Sequence, residues 1–196
     1  MLNGDPESGF EKDYTMSTAP DPSSTAGSDL GAGVWQLDPT RSSVEFHVRH
    51  FYGLMTVKGR FDDYEGTLEL AGGPAVQLTI AADSLNTGQA KRDAHLRAAD
   101  FFNVEKYPRV NFVSQSAALQ GATLAVHGQL HAAGKETPVD ANVTVSWVHD
   151  EPEIEAVTYV DHRALGMTWS PLGLLRTPSK LIVRGTLIRP ADRLHW

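Results

Sequence analysis

Apolar and polar residues alternate along most of this chain after residue 34. In residues 42–50, one face of an extended segment carries Val44, Phe46, Val48 and His50. Residues 55–61 continue the pattern with a face formed by Met55, Val57, Gly59 and Phe61. A period of two places alternate side chains on one face of a β-strand. The two segments therefore predict a β-hairpin that turns near Tyr52 and Gly53.

Further alternating rows follow through the rest of the chain. They begin at Leu68, Val76, Val110, Leu124, Val139, Ile154 and Leu181. Together they predict eight or nine antiparallel strands, joined mostly by short loops. Strands with one apolar face need a sandwich or a barrel to bury it, and eight strands closed into a barrel can hold one small ligand. The predicted fold class is all-β with one short helical insertion.

The helical insertion is predicted within residues 88–108, which interrupt the alternation. Gln89–Asp100 is rich in Ala, Leu, Lys and Arg, and Asn86 or Thr87 is the candidate N-cap. Asp93 and Arg97 are four residues apart, a spacing that predicts a local ion pair. The aromatic residues expected to pin this helix to the barrel are Phe101 and Phe102.

Composition changes the picture at the N-terminus. The chain has 196 residues and a formal net charge of −7, and residues 1–33 hold six acidic residues against a single lysine, Lys12. These residues are rich in Ser, Thr, Pro and Gly, which predicts a disordered acidic tail. The barrel domain is expected at 34–190, and a short C-terminal tail at 191–196. Met16 is a second candidate start beside Met1.

Charge and cysteine content exclude several classes of function. The predicted domain is nearly neutral, so it lacks the basic surface with which proteins release counterions from nucleic acid. The chain contains no cysteine, which excludes disulfides and thiolate-ligated metals. It shows neither a signal peptide nor an apolar run approaching about 18 residues. We therefore expect a cytoplasmic protein without a membrane span.

The spacing of the histidines argues against a metal site. His47 and His50 are three residues apart on a predicted strand, so they point to opposite faces. His127 and His131 share a face but lie about 13 Å apart at the usual strand rise. We predict no metal site and no cofactor.

His50 is unusual because it continues an apolar row. Two roles fit it: a neutral histidine of the core, or a polar contact at one end of an internal cavity. Neither a nucleophile-elbow motif nor a phosphate-binding glycine loop occurs in the chain. No catalytic residue is predicted from these motifs.

Several motifs together resemble the YceI family of lipocalin-like lipid binders. The most specific is the run KRDAHL at 91–96, followed by Asp100-Phe101-Phe102 and Tyr107-Pro108. The opening strand from Trp35 to Phe46 and the V-x-G-x-F pattern at 57–61 are also similar to the family. So are residues 128–130, 137–139 and 161–166. The chain departs from the family at Arg41, at the turn 134–137 and in the proline-containing stretch 167–178.

The resemblance implies an extended eight-stranded antiparallel β-barrel whose interior binds a long-chain isoprenoid, an isoprenoid quinone or a similar amphiphile, without catalysis. The protein would carry or sequester that ligand. With the apolar face inside, the residues expected to line the lipid tunnel are Phe46, Val48, His50, Val57, Phe61, Phe112 and Val126. Those expected to contact the ligand's polar end or to anchor the helix are Arg92, Asp93, His95, Arg97, Phe101 and Phe102.

Two other functions stay open at this point. A hydrolase of the same barrel shape would use His50 or His95 with a nearby carboxylate. A stress-related interaction module would use the acidic tail as its contact. A homodimer is compatible with either function and with lipid carriage.

Overall fold

The computed structural model describes residues 30–50, 55–70, 72–167 and 178–190. For His50 and Met55 it describes the backbone alone. The expected turn at Tyr52 and Gly53 lies outside the described residues. So do residues 1–29 of the predicted N-terminal tail, the predicted C-terminal tail at 191–196 and most of the stretch 167–178.

The described residues form ten β-strands and one α-helix. The strands are β1 (Val34–His50), β2 (Met55–Phe61), β3 (Tyr64–Glu69), β4 (Ala75–Ala81), β5 (Leu85–Asn86), β6 (Arg109–Gln120), β7 (Thr123–Ala132), β8 (Lys135–Val148), β9 (Glu151–Val160) and β10 (Ser179–Ile188). The helix α1 is Ala90–Arg97, and a 3-10 turn at Ala82–Ser84 lies between β4 and β5. No helix in these ranges has the length and apolar character needed to cross a bilayer.

The strands close into an antiparallel barrel of eight. The sheet runs from β10 through β9, β8, β7, β6, β4 and β3 to β1, and β1 pairs with β10 to complete the ring. β2 and β3 pair with successive parts of the same edge of β1, at Val44–His50 and Val34–Gln36. They therefore act as one barrel strand, broken at Asp62 and Asp63. The predicted fold class is confirmed.

The two ends of the barrel differ in their connections. One end, called the helix end below, carries α1, the β7–β8 turn, the end of β1, the start of β2, the end of β9 and the start of β10. The opposite end carries the β3–β4, β6–β7 and β8–β9 turns. The inward rows form two apolar clusters, one around Phe61 and Val110 towards the helix end and one around Trp35 and Leu124 towards the opposite end.

Glycines within strands make room for inward-facing rings. A Cβ on Gly59 would lie 2.3 Å from Cζ of Phe46, and a Cβ on Gly128 would lie 2.6 Å from Cζ of Phe112. Both distances are far below van der Waals contact, so a larger residue would expel the ring. The absence of a side chain at Gly59 and Gly128 therefore lets two phenylalanines lie inside the barrel.

Leu30 lies within the range predicted to be tail, yet its side chain is buried with 1% exposed. Its carbonyl accepts a hydrogen bond of 3.1 Å from the Trp35 indole N–H. The Arg189 guanidinium donates to the carbonyls of Leu30 and Ala32. The packed part of the molecule therefore begins at least four residues before the predicted boundary at 34.

Candidate functional site

The barrel encloses a cavity of about 530 Å³. Its wall is formed by the inward rows of the strands and is almost entirely apolar, with Leu, Val, Phe and Ile side chains from both apolar clusters. Pockets that hold small molecules usually measure about 300 to 1,000 Å³ and combine apolar walls with a few polar groups. The interior of this barrel has the size and the chemistry of such a pocket.

The structure places most of the predicted tunnel residues on the cavity wall. They are Phe46, Val48, Val57, Phe61, Phe112 and Val126. The side chain of His50 lies outside the described residues. Further wall residues come from strands for which no lining residue was predicted, among them Val139, Val160 and Leu181. The same alternation that marked β1 and β2 was available on β8, β9 and β10, so these residues could have been found from the sequence.

Aromatic rings form a continuous contact at the helix end. The ring of Phe61 lies 5.5 Å from the ring of Phe46 and 6.0 Å from that of Phe102, in an edge-on arrangement with the second. Such geometries are favourable beyond simple burial. Since Phe102 belongs to the segment after α1, this contact joins that segment to the barrel wall. The preceding residue, Phe101, contacts His95, and the centres of the two rings are 5.1 Å apart.

The N-terminal part of the helical insertion differs from the prediction. α1 begins at Ala90, and Gln89, its N-cap residue, makes no side-chain capping bond. The hydroxyl of Thr87 does not cap the helix, because it donates to the buried carboxylate of Asp93. The backbone N–H of Thr87 donates to the same carboxylate at 2.9 Å. Asp93 therefore fixes the loop that leads into the helix.

The predicted ion pair between Asp93 and Arg97 is wrong. The Arg97 guanidinium donates to two backbone carbonyls, of Asp83 at 2.8 Å and of Leu85 at 2.5 Å. The two side chains have different partners because Asp93 points to the loop before α1, whereas Arg97 points to the 3-10 turn and β5. Together they fasten both ends of the helix to the chain that precedes it.

Four polar residues reach the cavity wall near the helix end: Arg92, His95, His162 and Ser179. Arg92 is held in place by bonds to the hydroxyl of Thr87 at 2.8 Å and to its carbonyl at 3.0 Å. The Ser179 hydroxyl lies 3.4 Å from Nδ1 of His162, which is buried with 8% exposed. The apolar cavity therefore has a polar end, which can bind the polar group of an amphiphile.

His162 and Ser179 were not among the predicted site residues. A signal for them existed in the sequence, because the inward row of β9, with Ala156, Thr158 and Val160, reaches His162 when extended by one step. Ser179 begins the inward row of β10 in the same way. The motif at 161–163 marks the end of the strand, so the alternation alone does not place His162 on the wall.

The other histidines and carboxylates with described side chains do not line the cavity. His127 contacts Asp140 on the exposed outer face, with Nδ1 2.6 Å from Oδ1. Arg163 donates to Asp161 and thereby lowers the pKa of that carboxyl. Within the described ranges, no group of three or more His, Asp or Glu residues is arranged to hold a metal ion.

The opposite end of the cavity is closed by packing. Trp35 and Leu30 lie together there, and the Arg189 guanidinium is stacked over the Trp35 ring at 4.3 Å from its centre. A cation above an indole ring is favourable, and Arg189 is also held by the carbonyls that it binds. The polar wall residues are therefore concentrated at the helix end, while the wall towards the opposite end is apolar apart from Thr67 and Gln77.

A closed antiparallel barrel with an apolar interior and a helical insertion at one end defines a class of lipocalin-like β-barrel proteins. Residues 35–185 match the family model of the YceI-like domain. The chain therefore belongs to the YceI-like family.

Curated relatives include the protein YceI of Salmonella arizonae and that of Salmonella enteritidis PT4. Each is 34% identical to this chain over 113 residues, which is 56% of this chain. The matched region spans 59% of the length of these relatives. The likeness in sequence is thus clear over the part that aligns.

Solved structures share the fold. Burkholderia cenocepacia BcnA superposes with a TM-score of 0.69 at 19% identity, over 78% of this chain and 99% of that chain. A polyisoprenoid binding domain from Saccharophagus degradans, implicated in plant cell wall breakdown, gives 0.63 at 18% identity, over 80% and 98%. The YceI protein of Campylobacter jejuni gives 0.58 at 23% identity, over 73% and 91%. At these identities the likeness concerns the fold.

Proposed function

We propose that this protein binds a long-chain isoprenoid, an isoprenoid quinone or a similar amphiphilic lipid inside its barrel, and carries or sequesters it without chemical change. The observation that carries the proposal is the cavity of about 530 Å³ with its almost wholly apolar wall. A hydrocarbon tail can make apolar contacts with such a wall along its whole length, whereas a polar substrate would find few hydrogen-bonding partners there. The binding unit is the barrel domain, residues 34–190 with Leu30 packed onto it.

The energetics favour a long ligand over a short one. Burying a methylene group contributes roughly 0.8 kcal/mol, while association costs about 4 to 15 kcal/mol in lost freedom. A tail of about five carbons contributes about 4 kcal/mol and only reaches the lower bound of this cost, whereas a tail of about twenty carbons contributes about 16 kcal/mol and exceeds the upper bound. Apolar walls also recognise length and width more than identity, so we expect binding to depend on chain length.

The polar group of the ligand belongs at the helix end. Arg92, His95, His162 and Ser179 are the polar residues on the wall there, and each can donate or share a hydrogen bond. Asp93 and Arg97 have a different role, since both are engaged by neighbouring chain and hold the helix in place. Phe101 and Phe102 anchor the same segment.

Two comparisons support the proposal. The chain belongs to the YceI-like family over residues 35–185. It also shares its fold with the Saccharophagus degradans domain, which is described as polyisoprenoid binding. The ligand of this chain is inferred from its own cavity wall, and these relatives make an isoprenoid the first compound to test.

The test is a titration with all-trans polyprenols of increasing length, followed by displacement of a fluorescent lipid probe. Affinity should rise with each added isoprene unit until the cavity is filled. Ala156→Phe places a ring into the cavity and should abolish binding of the longer alcohols, since Ala156 lies on the wall. The matched control is Ala118→Phe, because Ala118 is exposed on β6.

Two results would count against the proposal. One is binding that does not change with tail length or with Ala156→Phe while the barrel stays folded by circular dichroism. The other is conversion of the bound lipid to a product of different mass during incubation, which would point to an enzyme.

A further inference from the structure

The outer surface of the barrel is electrically polarised along its axis. The helix-end part of the described chain, residues 45–63, 82–109, 131–136, 159–163 and 178–181, holds eleven Lys and Arg residues against nine Asp and Glu. The remaining described residues, towards the opposite end, hold three against eight. An anionic surface would therefore attract one end of the barrel and repel the other.

The basic character is concentrated on one outer face. β-Strand pairing aligns four outward residues of neighbouring strands in a single row: Tyr159 opposite Lys180, Lys180 opposite His47, and His47 opposite Lys58. Their neighbours Phe46, Val57, Val160 and Leu181 line the cavity, so these four side chains point outwards. This set is called the basic row below.

Other charged groups lie around the basic row. Arg49 is exposed on the same face of β1, two residues beyond His47. Glu45 is on that face as well, with its carboxylate 3.5 Å from Nε2 of His47. Arg60 lies opposite Glu45 but is engaged by Asp62. Glu155, on the same face of β9, is near Lys180 but is paired with Arg184. Glu45 is thus the carboxylate set against the two lysines of the row, and the row keeps a positive charge.

Tyr159 gives the row a second property. It is 64% exposed, the largest exposure among the big apolar or aromatic side chains of the described residues. A tyrosine combines an apolar ring with a polar tip, which favours the boundary between a bilayer and water. Lysine stems can lie along the same boundary while their charges meet lipid phosphates. An exposed tyrosine beside Lys180, with Lys58 further along the same row, fits a lipid surface better than it fits water alone.

We propose that the barrel docks on the surface of an anionic lipid bilayer through the basic row, with its helix end towards the membrane. The row lies at the end of the cavity that carries its polar residues, since Ser179 on the inner wall directly precedes Lys180 on the outer face. The inference goes beyond lipid carriage and stands without it, because it concerns only the outer surface.

Sedimentation of the full chain with vesicles tests the proposal. Vesicles of phosphatidylglycerol and phosphatidylcholine in equal parts should bind the protein, and vesicles of phosphatidylcholine alone should not. Binding should weaken as salt is added, because surface charge is screened. Equal binding to both kinds of vesicle would overturn the proposal.

Paired variants separate the basic row from net charge. Lys58→Gln with Lys180→Gln should weaken binding to anionic vesicles about fivefold per lysine, or roughly 30-fold in all. The control, Arg41→Gln with Arg184→Gln, removes the same charge at the opposite end and should change binding less than about twofold. Equal losses in the two double variants, with both folded by circular dichroism, would overturn the proposal.

The chain's own acidic segment is the alternative partner for the row. A full chain in which the six acidic residues of 1–29 are changed to Asn or Gln resolves this. If the unmodified chain fails to bind anionic vesicles and only this variant binds them, the row pairs with residues 1–29 and the membrane proposal is wrong. Binding by both chains supports it.

Discussion

The two ends of this barrel are closed by different means. At the helix end, an inserted segment is fastened by the buried carboxylate of Asp93 and by the contact of Phe102 with Phe61. At the opposite end, Trp35 and Leu30 fill the barrel beneath the Arg189 guanidinium. The ionisable side chains of Arg92 and His95 reach the cavity wall near the first closure, whereas the second closure is built from an indole ring and an aliphatic side chain.

We infer that the opposite end of the barrel serves mainly the stability of the fold, and that the helix end serves mainly ligand binding. The opposite end uses strand residues and the chain leading into β1, so its closure belongs to the barrel itself. The helix end uses a separate segment between β5 and β6 that the strand pattern does not require. Hence changes at the opposite end should act mainly on the free energy of unfolding, and changes at the helix end mainly on the ligand.

The largest expected effect is at the opposite end. Trp35→Ala removes a buried ring, the bond to the Leu30 carbonyl and the surface on which Arg189 stacks, so it should lower the free energy of unfolding by about 3 to 5 kcal/mol. Urea denaturation measures this loss. The neighbouring variant Val34→Ala, at an exposed position, should stay within about 0.5 kcal/mol of the wild type. Similar values for both variants would refute the closure assigned to Trp35.

A smaller loss of stability is expected at the helix end. Asp93→Ala leaves the N–H and hydroxyl of Thr87 without their acceptor, which should cost about 2 to 3 kcal/mol. Hydrogen exchange should show the amides of α1 losing protection while those of β7 and β8 keep theirs. Asp100→Ala, at an exposed position, is the control. Uniform loss of protection across the barrel would mean that Asp93 supports the whole fold rather than the insertion.

The third prediction concerns ligand affinity at the polar end. Ser179→Ala should weaken binding of an amphiphile with a hydrogen-bonding head group by about 0.5 to 1.5 kcal/mol, and should leave binding of a plain hydrocarbon unchanged. Thr67→Val, a wall position in β3 towards the opposite end, should affect neither compound. Calorimetric titration of the two variants shows at which end the head group binds. If Thr67→Val, rather than Ser179→Ala, weakened binding of the amphiphile, the head group would lie at the opposite end.

The smallest expected effect is a pH dependence at the opposite end. The pKa of the Asp38 carboxyl is lowered from 3.8 to about 2, mainly by a hydrogen bond from Thr40 and to a smaller extent by one from Arg41. Because the folded pKa lies below the unfolded one, the stabilisation is present above pH 3.8 and is lost as the pH falls towards 2. Asp38→Asn should therefore flatten the decline in stability over this window. An unchanged slope in urea unfolding at these pH values would show that Asp38 contributes nothing to acid sensitivity.

Much of the fold follows from the alternation of apolar and polar residues. The inward rows of β7 and β8 match it position by position, because one buried face imposes a period of two. The row of β1 matches it from Val44 onward, but the strand changes register between Leu37 and Ser42. The pattern does not show that β2 and β3 form one barrel strand, since both read as separate short strands. That union depends on their pairing with the same edge of β1.

The candidate site could be predicted in part. Phe46, Phe61 and Phe112 follow from their rows, and the cavity wall contains them. The bonding of Asp93 to Thr87 could not be read from the chain, because a spacing of four residues equally favours a pair with Arg97. In the folded protein the Asp93 carboxylate is buried next to the loop before α1, and it therefore bonds to Thr87 rather than to Arg97. Sequence spacing carries no information about that burial.

The central claim is that the barrel interior binds a long apolar ligand, and native mass spectrometry of the full chain tests it most directly. The protein should be purified without detergent, incubated with a long polyprenol and compared with Ala156→Phe treated in the same way. We expect the wild type to carry the added mass of one lipid, which organic solvent then releases unchanged, and we expect the variant to carry none. A wild type that keeps its own mass, or a variant that binds the polyprenol equally well, would contradict the claim.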